Sequence, residues 1–178
     1  LSGLEHFVFS SSSSVYGRLE TPPYKVTDNT DSPISLYAAT KKAGEAMCYS
    51  YAHLYDVPIT SLRFFTVYGP WGRPDMATFM FTKKILAGET LDVYNDGKMR
   101  RDFTYVDDIV SGVMSCLFSP PKGDNHRVPY AVYNLGNSRS EELMDVISII
   151  ERELGRKAKI NFKPIQPGDV TETYADIT

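Results

Sequence analysis

The order of apolar runs and amphipathic stretches predicts an α/β chain built on a parallel sheet, and three observations carry that expectation. Short apolar runs alternate with helical periodicities along the 178 residues, the pattern of strand and helix in turn. The run His6-Phe7-Val8-Phe9 passes directly into five serines, Ser10 to Ser14, and then Val15-Tyr16-Gly17. That reads as a buried parallel strand delivering hydroxyls at its C-terminal end, where open α/β sheets bind their ligands. Finally, Tyr37-Ala38-Ala39-Thr40-Lys41 sets a phenol and an ammonium four residues apart on one helix, so the two share a face. A phenol is a poor base at neutral pH unless positive charge stabilises its phenolate, and Lys41 supplies that charge.

The elements follow in order. Arg18 to Pro33 is rich in Pro, Thr and Asp and reads as a surface loop. A helix begins near Ser35, carries Leu36, Ala39, Ala43, Ala46 and Met47 as a core or dimer stripe, and is ended by Pro58. Ile59 to Phe65 is the next strand, with Arg63 inside an otherwise apolar and Thr/Ser pattern; Thr66 to Asp75 is a loop stiffened by Pro and Gly. Met76 to Ala87 is helical and stops at Gly88, Leu91 to Tyr94 is a short strand, and Asn95-Asp96-Gly97 signals a turn. Arg100 to Val106 is extended, after which Asp107 and Asp108 are expected to cap a helix carrying Ile109, Val110, Val113, Met114 and Leu117. Beyond the loop 119–129, Ala131 to Leu135 is a buried strand. Ser140 with Glu141 and Glu142 opens a helix running to about Leu154, Gly155 closes it, and Lys159 to Lys163 is the last strand, followed by Gln166-Pro167-Gly168-Asp169.

Composition narrows the function. A net charge of -3 with no long basic run argues against nucleic acid and against an anionic membrane surface. No apolar run approaches the roughly 20 residues of a bilayer span, and the N-terminus lacks a signal-peptide layout, so the cytoplasm is the expected location. Cys48 and Cys116 have neither metal-ligand spacing nor a disulfide-rich context and read as packing residues. His6, His53 and His126 share no motif, so no role and no metal site is assigned.

Ser-Ser-Ser before Val-Tyr-Gly, followed by Tyr-x-x-x-Lys, resembles the extended short-chain dehydrogenases/reductases of the NAD-dependent epimerase/dehydratase family that act on nucleotide sugars. The resemblance covers nearly the whole chain. It implies the C-terminal part of a doubly wound, Rossmann-type parallel sheet interleaved with a small α/β substrate-binding lobe. On that pattern residues 1–70 are the second half of an NAD-binding domain. Residues 71–178 are mainly a sugar-nucleotide lobe, with 102–118 and 130–136 returning to the first domain. The family's Gly-x-x-Gly-x-x-Gly turn is not in this sequence, so the chain reads as a fragment, expected to be inactive by itself.

The resemblance also implies roles. Tyr37 is the base, Lys41 holds its phenolate and the nicotinamide ribose, and Ser12, three before Val15, completes the proton path. Ser10, Ser11, Phe65 and Val67 join Tyr37 and Lys41 around NAD. Oxidation of a sugar hydroxyl, turning of the keto sugar and re-reduction from its other face would invert one centre. Relatives that eliminate water or decarboxylate carry acidic residues where Ser13 and Ser14 stand here, which favours epimerisation. The stretch Thr66 to Ala77 resembles the loop of UDP-glucuronate 4-epimerases; relatives acting on UDP-glucose or N-acetylated hexoses usually have Asn at the position of Thr66. Hydroxyls of Ser13, Ser14 and Thr66 would then hold the sugar carboxylate. Arg73 and Arg101 match arginines on the diphosphate, the backbone at Val93 and Tyr94 the uracil, and Gln166 and Asp169 a phosphate and ribose pair, Gln166 standing where some relatives carry Arg. The expected ligands are therefore NAD and a UDP-sugar, and the expected assembly is a homodimer through the Tyr37 helix. Two alternatives stay open: a 4-epimerase of a neutral or N-acetylated UDP-hexose, and a non-catalytic nucleotide-sugar-binding fragment.

Overall fold

The computed structural model describes residues 3–19, 21–123 and 127–178; Leu1, Ser2 and His126 lie outside them, as does part of the loop 119–129. In chain order the elements are β1 (Phe7–Ser12), α1 (Leu36–Tyr55), β2 (Ile59–Phe64), β3 (Thr66–Tyr68), α2 (Ala77–Ala87), β4 (Thr90–Tyr94), β5 (Arg100–Arg101), β6 (Phe103–Tyr105) and α3 (Val106–Leu117). They continue with β7 (Tyr130–Leu135), β8 (Glu141–Glu142), α4 (Leu143–Leu154), β9 (Lys159–Lys163) and β10 (Glu172–Thr173).

The predicted parallel sheet is formed by β1, β2 and β7, in that order. Phe7 faces Ile59 and Ser12 faces Phe64 across one ladder; Ile59 faces Tyr130 and Phe64 faces Leu135 across the other. All three strands therefore end together, and the serines leave the sheet where β2 runs on towards Thr66. Two of the three are less buried than expected: Phe7 is exposed, and within β7 only Asn134 is buried.

The helix that follows starts and stops on local chemistry. The Ser35 hydroxyl accepts the Ala38 amide at 3.1 Å, and Asp56 ends α1 in the left-handed region with φ 50°. Its buried residues are Ala38, Gly44, Glu45, Cys48 and Ala52. Of the stripe read as a core or dimer face, Ala39 is half-buried and Leu36, Ala43, Ala46 and Met47 are exposed, Leu36 83% and Met47 60% accessible, so it is not a core face. Small residues and one charge make the inward face, so hydrophobicity did not mark the side that packs on the sheet. Gly44 permits the close approach: a Cβ there would lie 2.3 Å from the Phe9 ring, far inside the 3.5–4.0 Å carbon–carbon optimum. Cys48, Ala52, Val57 and Ile59 then form the apolar seam between α1 and β2.

A second core joins α2, β4 and α4 through Phe81, Ile85, Leu91, Val93 and Ile147, with β4 and β9 paired in parallel. The Asn95-Asp96-Gly97 turn is present but links no hairpin: β5 pairs with β8 antiparallel and with β10 in parallel. Three local expectations are corrected. Thr66–Tyr68 is a strand pairing with β6 rather than loop. Asp107 and Asp108 sit inside the first turn of α3, whose cap position is Tyr105. Glu141 and Glu142 pair with β5 before α4 begins, because Arg101 and Arg100 offer them an open strand edge. Among the described residues no helix is long and apolar enough to cross a membrane.

Candidate active site

Two clefts open where the parallel strands end. The larger, about 610 Å3, is lined by Ser10 to Ser14, Tyr37, Phe65, Thr66, Val67 and Arg73, together with the loop Gly69 to Gly72. The smaller, about 190 Å3, is lined by Ser13, Ser14, Ser35, Thr66, Arg101 and Asp169, with the segment Gly168 to Val170. Ser13, Ser14 and Thr66 line both, so the hydroxyls stand between the phenol on one side and a guanidinium on the other. The separate sequence signals thus converge on one continuous site.

Local geometry explains each placement. The Ser12 hydroxyl lies 3.1 Å from that of Ser14 and accepts the Ser14 amide at 3.2 Å, capping a 3-10 turn over Ser13–Tyr16 that lifts Ser13 and Ser14 out of the sheet line. Tyr37, in the first turn of α1, is half exposed. Lys41 follows one turn later, its Nζ 5.7 Å from the Tyr37 ring centre and donating to the Ser10 carbonyl at 2.8 Å. Lys41 itself lines neither cleft. Thr66 is fixed by its own amide, which donates to the Asp102 carbonyl at 3.0 Å.

The two arginines differ. Arg73 is exposed and forked onto Asp75 at 3.1 and 2.6 Å. Arg101 is largely enclosed: Nη2 donates to Asp169 at 2.8 Å, and Nη1 donates to the carbonyls of Arg100 and Thr171. Burial pulls its pKa down, against the opposing pull of Asp169 and Tyr24. Removal of water makes its charge more responsive to an anion entering the smaller cleft.

Other expected residues lie elsewhere. The Val93 side chain belongs to the second core, and neither Tyr94 nor Gln166 lines either cleft. The strand β4 keeps one edge without a strand partner among the described residues, so its backbone remains available. The Ser11 hydroxyl is committed inward, donating to Glu45 at 2.6 Å.

Two buried carboxylates behind the site escaped the sequence reading. Glu45 takes both Arg63 Nε at 2.9 Å and Arg63 Nη2 at 2.8 Å. Burial raises the Glu45 pKa, but the bonds from Arg63 and Ser11 outweigh it and the net shift is downward. A charged Arg63 inside an apolar strand was the available signal, since a buried guanidinium requires a partner. Asp102 is fully buried and accepts four donors, the Thr104 hydroxyl and the amides of Asn137, Ser138 and Ala175. Nothing in its local sequence announces that hub.

Comparison with known proteins places this geometry. The NAD dependent epimerase/dehydratase family model matches residues 1–136. The chain belongs to that family. A 37.6 kDa protein of Escherichia coli O111:H-, itself uncharacterised, is 53% identical over 184 residues, covering 97% of this chain and 55% of its own length. A probable UDP-glucuronate 4-epimerase of Rhizobium meliloti is 45% identical over 183 residues, covering 96% of this chain and 54% of its own. Among solved structures, UDP-glucuronic acid 4-epimerase from Bacillus cereus in complex with UDP-glucuronic acid and NAD superposes with a TM-score of 0.86 at 36% identity, covering 97% of this chain and 53% of that one. The chain therefore spans about half the length of the curated relatives it matches.

Proposed function

We propose that the full-length protein carrying these residues is an NAD-dependent UDP-glucuronate 4-epimerase. The observation that carries the reading is the meeting of the two clefts at Ser13, Ser14 and Thr66, between Tyr37 on one side and Arg101 with Asp169 on the other. A sugar bridging that junction would have its ring beside the phenol and its diphosphate beside the guanidinium. The names and bound ligands of the relatives point the same way.

The donor set fits a nicotinamide dinucleotide. The larger cleft lies at the C-terminal ends of β1 and β2, and its volume suits a cofactor portion. Ser10, Ser11, Phe65 and Val67 would border it, with Tyr37 and Lys41 at the ribose. When bound, that cofactor supplies hydride acceptance and return. The chain's own residues do the rest. Tyr37 takes the proton from the C4 hydroxyl, and Lys41 provides the positive charge beside the phenolate. Ser12 orients the same hydroxyl. Hydroxyls of Ser13, Ser14 and Thr66 donate to the sugar carboxylate, holding it without adding charge.

Arg101 and Arg73 receive the diphosphate, each by exchanging a carboxylate partner, Asp169 or Asp75, for phosphate oxygens. Asp169, so released, and Gln166 turn to the ribose and phosphate, while the free edge of β4 at Val93 and Tyr94 meets the uracil. Residues 1–70 form the cofactor half and 71–178 mainly the sugar-nucleotide half, with 102–118 and 130–136 rejoining the first. The exposed face of α1, with Leu36, Met47 and Leu54 largely accessible, is the pairing surface of a homodimer.

Steady-state turnover of UDP-glucuronate against UDP-glucose tests the reading. Preference for the acid sugar supports it; equal turnover or preference for UDP-glucose removes glucuronate as the substrate.

A further inference from the structure

Two buried charges stand behind the proposed proton-handling side chains and take no part in that chemistry. Arg63 is 4% exposed and Glu45 5% exposed. They meet fork to fork, Nε to Oε1 at 2.9 Å and Nη2 to Oε2 at 2.8 Å. Ser11 of β1 donates to the same Glu45 Oε1 at 2.6 Å, Arg63 Nη1 donates to the Val26 carbonyl at 3.3 Å, and the Tyr16 ring lies 4.8 Å from the guanidinium carbon. The cluster thus ties α1, β1, β2 and the loop after Gly17 at one point.

Stability alone gives a weak reason for such a pair. Desolvating two charges costs several kcal/mol, and a well-packed apolar pair of similar volume is often as stable or more so. A doubly bonded fork differs from apolar packing in fixing one geometry, whereas apolar surfaces can slide. The position of this fork matters. Glu45 lies one turn beyond Lys41 and two turns beyond Tyr37 on the same helix, and Ser11 immediately precedes Ser12. Gly44, beside Glu45, leaves no side chain between α1 and the Phe9 ring to set their spacing. The other polar link between α1 and β1 is Lys41 Nζ on the Ser10 carbonyl at 2.8 Å, made at the end of a long flexible arm that tolerates sliding.

We propose that Glu45 and Arg63 are positioning residues, whose paired fork sets the register of α1 on β1 and so the placement of Tyr37 and Lys41 against Ser12. The inference rests on the functional reading given above and adds to it the device that holds the reacting groups together. A misplacement on the order of 1 Å remote from the chemistry costs up to about a hundredfold in rate.

The test uses the full-length protein with four variants: Glu45→Gln, the double variant Glu45→Leu with Arg63→Met, Ser11→Ala and Tyr37→Phe. Glu45→Gln strands a buried guanidinium and should lower both the melting temperature and kcat. The double variant removes both charges and should recover the melting temperature while kcat stays about ten- to a hundredfold low, with KM for UDP-glucuronate within about twofold of the parent. In the ligand-free protein the Tyr37 ring resonance, identified by its loss in Tyr37→Phe, should move in the double variant. Recovery of kcat together with stability, or an unmoved Tyr37 resonance, overturns the inference. If the double variant does not fold, Ser11→Ala decides, with NAD affinity measured beside turnover because Ser11 also lines the larger cleft: reduced kcat at unchanged KM and unchanged NAD affinity supports the inference, and unchanged kcat, or a loss that follows weakened NAD binding, overturns it. Turnover lost in Tyr37→Phe but kept in the other variants sinks the positioning role alone. Turnover that survives Tyr37→Phe sinks the functional reading and this inference with it.

Discussion

Replacing Asp102 by Asn exchanges one carboxylate oxygen for an amide NH2 at a side chain with no solvent exposure. Oδ1 accepts the Thr104 hydroxyl at 2.8 Å and the Asn137 amide at 2.7 Å; Oδ2 accepts the Ser138 and Ala175 amides, each at 3.1 Å. With the nitrogen at Oδ2 both the Ser138 and Ala175 amides lose their acceptor; with it at Oδ1 the Thr104 hydroxyl turns to accept from the new NH2 and only the Asn137 amide is stranded, so the second orientation is the one adopted. The site cannot relax towards Gly136, where even a Cβ would lie 2.8 Å from Oδ2. One stranded buried donor costs roughly 1–3 kcal/mol, a sizeable part of the roughly 5–15 kcal/mol that holds a domain folded. At about 2–4 °C per kcal/mol for a domain of this size, the melting temperature should fall by about 2–12 °C. Thermal unfolding followed by circular dichroism measures it, with Thr104→Val as the control that removes one donor and costs only about 1 kcal/mol. A drop of less than about 2 °C in Asp102→Asn would refute the four-donor account.

Three further outcomes follow from the site. Tyr37→Phe in the full-length protein should abolish epimerisation and leave UDP affinity nearly unchanged, as calorimetry would register; survival of more than about a tenth of the turnover rules out Tyr37 as the base. Thr66→Val should weaken UDP-glucuronate turnover about ten- to a hundredfold and release some pentose by-product, while Arg73→Ala weakens acidic and neutral sugars alike; equal losses in Thr66→Val with no pentose would remove the carboxylate contact. Acid sensitivity follows from Glu45, whose folded pKa lies below its ordinary 4.5 despite burial, because Arg63 and Ser11 bond the charged form. Its stabilising contribution is therefore complete above about pH 4.5 and is lost as the pH falls through the lower folded value. The melting temperature of the parent should drop more steeply below about pH 4.5 than that of the double variant Glu45→Leu with Arg63→Met, and parallel curves would contradict the assignment.

The sheet and the main helices were legible because their signals are local. Phe-Val-Phe-Ser after His6, the Ser35 cap, and Gly88 and Gly155 beyond their helices each act within a turn or two of themselves. The short strands β3, β8 and β10 were not legible as strands, since pairs such as Glu141 with Arg101 exist only once distant segments meet. The same division runs through the site. Tyr37, Lys41 and the serines announce themselves by spacing, whereas Glu45 looks like an ordinary helical charge until Arg63 arrives from β2. Asp102 could not be found at all, because three of its four donors lie 35 to 73 residues away.

Trp71 stands in the wall of the larger cleft with its indole fully exposed and its backbone at φ 63°, a conformation that aromatic residues rarely adopt. It is also the single tryptophan among 178 residues. Light absorbed by indole in this chain is therefore emitted from the rim of the cleft, into water when the cleft is open. Any molecule that settles beside the loop changes the surroundings of that one emitter, and its arrival is recorded as a change of colour and intensity in the unlabelled protein.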